Sequence, residues 1–203
     1  ANGDVLRQAA RLAGSLGNFT EAADYLEQAV ALDPLNYPAL GALSSAYEQL
    51  DQLDKAETTI RSLINLSPDY SNAQINLAYI LLRKGEPEQA LLAADLGPEE
   101  GWRVQSRACI LYTLGRHQES DAELALFIDG REEFWGYQIA EIYAWRNQPD
   151  EAFQWLESAF QNRDPGMSAM INDRLLRNLH GDARWEPMLE KMGLLETWQG
   201  LPR

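Results

Sequence analysis

GNFTEAADYLEQAVALDPLN, residues 17–36, is matched 34 residues later by DQLDKAETTIRSLINLSPDY, residues 51–70, and this correspondence decides the fold. Gly17, Asp51 and Gly85 stand 34 apart, as do Ala22, Ala56 and Ala90, and then Phe19, Leu53 and Pro87. Pro34 and Pro68 close the first two units, in Leu-Asp-Pro (32–34) and Leu-Ser-Pro (66–68). Register kept over three units means internal repetition, which takes precedence over any other reading of the chain. The units run 3–36, 37–70 and 71–100. A fourth, 101–132, places Gly115 and Ser120 in the Gly and Ala columns, and a fifth, 133–166, places Asn147 and Ala152 there. The third is four residues short, about one helical turn. Its second helix is expected to end near Leu96, just before Gly97-Pro98.

Each unit reads as two helices. Leu40, Leu43, Tyr47 and Leu50 recur at helical spacing, and after the Asp51–Asp54 turn so do Ala56, Ile60, Leu63 and Ile64. Leu77, Ala78 and Leu81 mark the first helix of the third unit, stopped by Gly85 and Pro87. Pro87 and Pro149 sit at helix starts, where a missing N–H costs nothing. The small Ala column lets the paired helices approach closely. No convincing stretch alternates with period two, so strands are not expected.

A 34-residue helix–turn–helix unit with Gly at the turn, Ala five residues later and Pro at its end resembles the tetratricopeptide repeat. The resemblance covers 3–166 and is weakest where Arg107 and Gly136 stand in place of apolar or aromatic residues. It implies an all-α, right-handed superhelical solenoid of about five repeats, residues 1–166, followed by C-terminal capping helices and a tail, 167–203. In that last segment Met167–Ile171 and Leu175–Leu179 are short apolar patterns. Asp182 reads as the N-cap of a helix over 183–192 that Gly193 closes. Covering the last apolar face of the array is its default role. Residues 137–192 are also similar to C-terminal repeat regions of multidomain bacterial regulators that carry a cyclase, kinase or winged-helix domain. The chain opens at Ala1 without Met, so it is expected to be a piece of a longer protein. Cytoplasm is the default compartment, and a membrane span upstream would place the domain in the periplasm.

Composition excludes several functions. The chain has 203 residues and a net charge of −14, shared as −6 over 1–70, −4 over 71–130 and −4 over 131–203. No basic stripe is present to meet a phosphate backbone, so nucleic acid is not an expected partner. The same charge disfavours direct binding to an anionic membrane. No apolar run approaches the ~20 residues of a membrane span. A single Cys109 forms no intrachain disulfide.

Catalytic chemistry is thinly supplied. The two histidines, His117 at the turn of the fourth unit and His180 before Gly181, suit polar turn or helix-end positions better than a ligand or base role. The sequence has no His-Glu-x-x-His, paired Cys, phosphate-cradling Gly loop or Gly-x-Ser-x-Gly elbow. Cys109 has no basic neighbour in sequence to stabilise a thiolate. Glu99-Glu100 and Glu132-Glu133 read as solvated connectors, and Asn18-Phe19-Thr20 and Asn65-Leu66-Ser67 as turn residues rather than glycan acceptors. The expectation is a non-enzyme without metal or cofactor.

What remains is a surface. In the family resembled, the first helices line the inside of the superhelix. The matching stripes are Asn72, Ile75, Asn76, Tyr79, Leu82 and Arg83; Trp102, Gln105, Ser106, Cys109, Tyr112 and Thr113; and Phe134, Tyr137, Gln138, Glu141 and Trp145. Aromatics mixed with amides and one Arg make a peptide-binding composition. The expected groove residues are therefore Asn72, Asn76, Tyr79, Arg83, Gln105, Tyr112, Tyr137, Glu141 and Trp145. Alternatively, the short third unit bends the array and these aromatics fill space between helices. Relatives that clamp acidic chaperone C-termini use Lys, Arg and Asn on three first helices. Here Arg7, Arg11, Ser45, Asn72 and Asn76 leave the basic pair of the third unit missing, so that activity is not expected. A neutral or basic protein or peptide ligand suits the −14 charge better. The competing role is self-assembly, through the array or through Trp198 in the tail. Trp198 packed on its own cap is the plainer reading of that residue.

Overall fold

The computed structural model describes residues 2–70, 72–129 and 135–201. Among the described residues the protein is helical throughout, with no strand. Paired helices follow one another: α1 (Gly3–Ser15) with α2 (Phe19–Leu32), α3 (Tyr37–Gln49) with α4 (Leu53–Leu66), and α5 (Ala73–Arg83) with α6 (Pro87–Asp95). Then come α7 (Glu100–Thr113) with α8 (His117–Ile128) and α9 (Gly136–Trp145) with α10 (Pro149–Gln161). Two 3-10 segments, Pro165–Asn172 and Arg174–Leu179, lead to α11 (Trp185–Met192) and the short α12 (Leu195–Gln199). The chain forms two compact units, one ending at Arg103 and one starting at Val104. Among the described residues no helix is long and apolar enough to cross a membrane.

The Gly column is a backbone requirement. Gly17, Asp51, Gly85, Gly115 and Asn147 all adopt φ between 57° and 78°. In each case the next N–H reaches back to a carbonyl five residues earlier: Asn18 to Ala13, Gln52 to Tyr47, Glu86 to Leu81, Arg116 to Leu111 and Gln148 to Tyr143, at 2.9–3.0 Å. This is the Schellman closure of a helix, in which one left-handed residue satisfies the last carbonyls. Gly enters that region freely, and Asp and Asn are the side chains that tolerate it best. Asp51 and Asn147 are therefore consistent replacements.

The Ala column has a partner column twelve residues upstream. Ala22, Ala56, Ala90, Ser120 and Ala152 are buried, and so are Ala10, Ser44, Ala78, Ala108 and Ala140. The two serines show that the columns face each other. Ser44 Oγ donates to the Ala56 carbonyl at 2.9 Å, and Ser120 Oγ donates to the Ala108 carbonyl. Small residues on both sides bring the helix backbones together, and a buried hydroxyl is accepted only where a carbonyl receives it.

The first unit buries its apolar stripes along α3 and α5, with Leu40, Leu43, Leu77, Ile80 and Leu81 inside. α6 ends at Asp95 with Leu96 as its cap, the stop expected from Gly97-Pro98. In the second unit the core continues into the C-terminal segment, where Tyr137, Leu156, Met170, Ile171, Leu176, Trp185 and Leu189 form one apolar cluster. Three contacts there join residues 34 apart: Asn178 Nδ2 to the Ala144 carbonyl (3.1 Å), Arg184 to Asp150 (2.7 Å) and Lys191 to Glu157 (2.6 Å). The spacing of the repeat thus persists where its sequence pattern has faded. α11 starts at Trp185, two residues later than the sequence suggests, because Asp182 turns its carboxylate onto both the N–H and the guanidinium of Arg184. Gly193 closes it at φ 66°.

Candidate functional site

In the first unit the expected residues lie along α5. Asn72 precedes the helix at φ 61°, and its side chain is half-buried with Oδ1 unpartnered. Asn76, one turn on, is also half-buried. Tyr79 is buried in the core. Arg83 is fixed from within: it donates to the Glu48 carbonyl at 2.8 Å and to Asp51 Oδ1 at 2.7 Å, with Glu48 Oε1 3.4 Å away. It thereby pins the left-handed turn of the second hairpin. Lys84, beside it, bridges Asp54 (2.6 Å) and Glu57 (2.7 Å) of α4. The Lys84 ammonium holds the Glu57 carboxyl below its usual range.

In the second unit the expected residues separate into two groups. Gln105, Tyr137 and Glu141 are buried and belong to a polar network. Gln105 Nε2 donates to Glu141 Oε2 at 2.6 Å, while Tyr137 O–H donates to Asp173 Oδ2 at 2.7 Å. Glu141 also hydrogen-bonds Asp173. Burial, and then the Asp173 charge, push the Glu141 carboxyl well above the ordinary carboxylate range. Burial raises the Tyr137 hydroxyl in the same way. Asp164 accepts the Tyr137 N–H at 3.1 Å and that of Gly166 at 2.9 Å, tying the start of α9 to the segment that follows α10. Tyr137 and Glu141 engage the C-terminal segment, and Gln105 engages Glu141.

Tyr112 and Trp145 form the second group, and both stay partly open to solvent. Trp145 Nε1 donates to Thr113 Oγ1 at 3.0 Å, and the Thr113 hydroxyl itself donates to the Cys109 carbonyl at 3.1 Å. The Arg146 guanidinium lies 5.5 Å from the Tyr112 ring centre, and the His117 ring centre lies 4.7 Å from it. Two amphipathic rings on neighbouring first helices are thus held in fixed orientations. Gln138 is half-buried, whereas Ser106 and Cys109 are buried. Burial pushes the Cys109 thiol far above its ordinary range, which suits packing and not nucleophilic attack. Phe134, Glu132 and Glu133 lie outside the described residues.

His180 sits between Trp185 (4.6 Å between ring centres) and Trp198 (4.5 Å), and burial lowers its pKa to about 4. Trp198 therefore lies on its own chain. Among the described residues no group of three or more His, Cys, Asp or Glu is placed to hold a metal ion. Sequence reasoning missed Asp173, Asp164 and Arg146. Asp164 and Asp173 act from an irregular segment without visible periodicity, and Arg146 lies one residue beyond the stripe assigned to α9. The Asp164-Pro165-Gly166 turn was the available signal for Asp164.

Residues 15–69 match the family model for the tetratricopeptide repeat. The fold is shared with a thermophilic repeat protein of this kind from Thermus thermophilus: 20% identity, 79% of this chain and 91% of that one, TM-score 0.64. It is shared with PilW, a type IV pilus biogenesis factor, at 18% identity over 98% of both chains, TM-score 0.62. It is shared also with YrrB, a repeat protein with an unusual peptide-binding site, at 18% identity over 86% of this chain and 89% of that one, TM-score 0.51. No curated protein sequence matches significantly. The repeat is thus matched over residues 15–69, and the fold is shared with tetratricopeptide-repeat proteins over most of the chain.

Proposed function

We propose that the chain binds a peptide or protein segment, with Tyr112 and Trp145 as the anchoring side chains in the second unit. The observation that carries this reading is the pair of partly exposed rings held by Thr113, His117 and Arg146. Preoriented aromatics lose little freedom on binding and are enriched among residues that dominate interface energies. The net charge of −14 favours a neutral or basic ligand over an acidic one. YrrB is described as having a peptide-binding site, which agrees with this use of the fold. The similarity of 137–192 to regulator C-termini extends the reading to a sensor or adaptor within a larger bacterial regulator. The test is a peptide array probed with the purified chain. Binding should weaken about tenfold or more in Tyr112→Ala and Trp145→Ala. Unchanged binding in both variants rejects the assignment.

A second reading, self-association through the array, rests on α1. Val5 and Leu12 are 62% and 64% exposed, whereas their counterparts Ala39, Ala46, Ala73 and Ile80 are at most 5% exposed. α3 and α5 are covered by the preceding hairpin, through α2 and α4. Light scattering of the wild type and Leu12→Glu tests this: a dimer that the substitution dissociates supports it, and a monomer in both rejects it.

A further inference from the structure

The end of α6 carries leucines where the other second helices of the first unit carry polar residues. Leu92 stands 34 residues after Thr58, which stands 34 after Asp24, and Leu96 is related in the same way to Ser62 and Gln28. All four polar residues are exposed. Three of them turn back onto their own helix: Thr58 donates to the Asp54 carbonyl at 2.8 Å, Ser62 to that of Thr58 at 3.0 Å and Gln28 to that of Asp24 at 3.1 Å. Leu92 and Leu96 take the same outward direction and are 68% and 67% exposed. A single exposed leucine is ordinary. Two of them, one helical turn apart, at positions kept polar in the neighbouring hairpins, mark a contact surface.

These leucines border a groove of about 520 Å³ between α4 and α6. Ile64 lines it from α4, the buried Leu77 and Leu81 from α5, and Leu92, Ala93 and Leu96 from the α6 side. The charge beside the leucines has one sign. Glu88 lies four residues before Leu92 and Asp95 three after it, and α6 contains no Lys or Arg. On α4, Arg61 is taken by Glu57 at 2.7 Å. A second α6 is therefore a poor occupant, because acid would face acid. α1 has the complementary character. Val5, Leu12 and Leu16, spaced seven and four apart on one stripe, are exposed, and Arg7 and Arg11 outnumber Asp4.

We propose that α1 of one copy docks into the α4–α6 groove of a second copy, its leucines against Leu92 and Leu96. This rests on the reading of α1 as a self-association element and adds the surface that α1 meets. The two surfaces differ, and every copy carries both. Two copies that exchange the contact close a symmetric dimer, and copies that pass it on build a larger assembly. Neither surface includes Tyr112 or Trp145, so peptide binding in the second unit is independent of it.

The test is light scattering of the full chain against concentration, for the wild type, Leu12→Glu, Leu92→Glu and an equimolar mixture of the two variants. Both substituted residues are exposed, so each variant should keep the wild-type circular dichroism spectrum and melt. The wild type should associate, and each variant alone should associate about tenfold more weakly or worse. The mixture should recover a heterodimer, because Leu92→Glu keeps a working α1 and Leu12→Glu a working groove. If Leu92→Glu associates like the wild type while Leu12→Glu does not, the groove is overturned and the α1 reading stands. If both variants are monomeric and their mixture is too, the pairing of these two surfaces is overturned. A monomeric wild type, or Leu12→Glu associating like the wild type, overturns both the groove and the α1 reading.

Discussion

Arg146, at the end of α9, donates through one guanidinium nitrogen to both the carbonyl and the hydroxyl oxygen of Ser120. Its other terminal nitrogen reaches Asp121 Oδ1 at 3.0 Å. Arg146 is buried, and Ser120 stands in the small-residue column where the other hairpins have Ala. The serine is therefore no relaxed substitute for alanine. It accepts from a buried cation and donates to the Ala108 carbonyl.

Ser120→Ala should destabilise the protein by about 1–2 kcal/mol, although it restores the residue of the other hairpins. The reason is that a charged donor loses one acceptor in a buried site. Urea unfolding measures it, and no loss would mean that the Ser120 carbonyl satisfies Arg146 alone.

Two glycines should respond differently to alanine. At Gly85, φ is 78° and a Cβ would meet nothing within 4 Å, so Gly85→Ala should cost only the left-handed conformation, about 1 kcal/mol. At Gly166 a Cβ would lie 2.6 Å from Tyr137 Cδ1, a ring held by burial and by Asp173. Gly166→Ala should cost about 1–3 kcal/mol through overpacking and should weaken docking of the C-terminal segment. Thermal melts of the two variants, compared side by side, check the order.

Tyr79 and Tyr112 were equivalent candidates in sequence and should separate in experiment. Tyr79→Ala removes a buried ring and should cost about 3 kcal/mol or more. Tyr112→Ala removes a partly exposed one and should act chiefly on ligand affinity. Chemical unfolding and binding measured on both variants distinguish the roles. Equal stability losses would place Tyr112 among the packing residues.

His180 should make the C-terminal segment acid-sensitive. Its pKa is lowered to about 4 in the folded chain, first by burial and then by Arg177, against about 6.5 unfolded. A base with a depressed folded pKa contributes no penalty above pH 6.5, and stability falls as pH drops from there toward 4. His180→Gln should reduce this acid-side slope, read from the fluorescence change on acid unfolding.

The fold was legible because its determinants are local and periodic. A left-handed residue at each turn, a small residue five positions later and an apolar face at helical spacing are constraints that each hairpin imposes separately. The second small column, Ala10 to Ala140, obeyed the same ruler and could have been read from it. The candidate site was less legible for a physical reason. Periodicity fixes the angle at which Tyr137 or Tyr79 leaves its helix, but not what lies opposite. Tyr137 and Glu141 share a stripe with Trp145, yet Asp173 receives the first two while Thr113 receives the third. Arg83 likewise reads as a ligand contact until Asp51 and Glu48 are found at its end.

The contacts 34 residues apart at Asn178, Arg184 and Lys191 lie in a segment whose first element is two 3-10 turns instead of an α-helix. Such a segment can close on the hairpin before it but offers no full helical face to one after it. In polymer terms we propose that it acts as a chain terminator, an end group that reacts once. Duplicating a 34-residue block between residues 3 and 70 should therefore lengthen the protein in register. The same block placed after Leu179 would find no template to grow on.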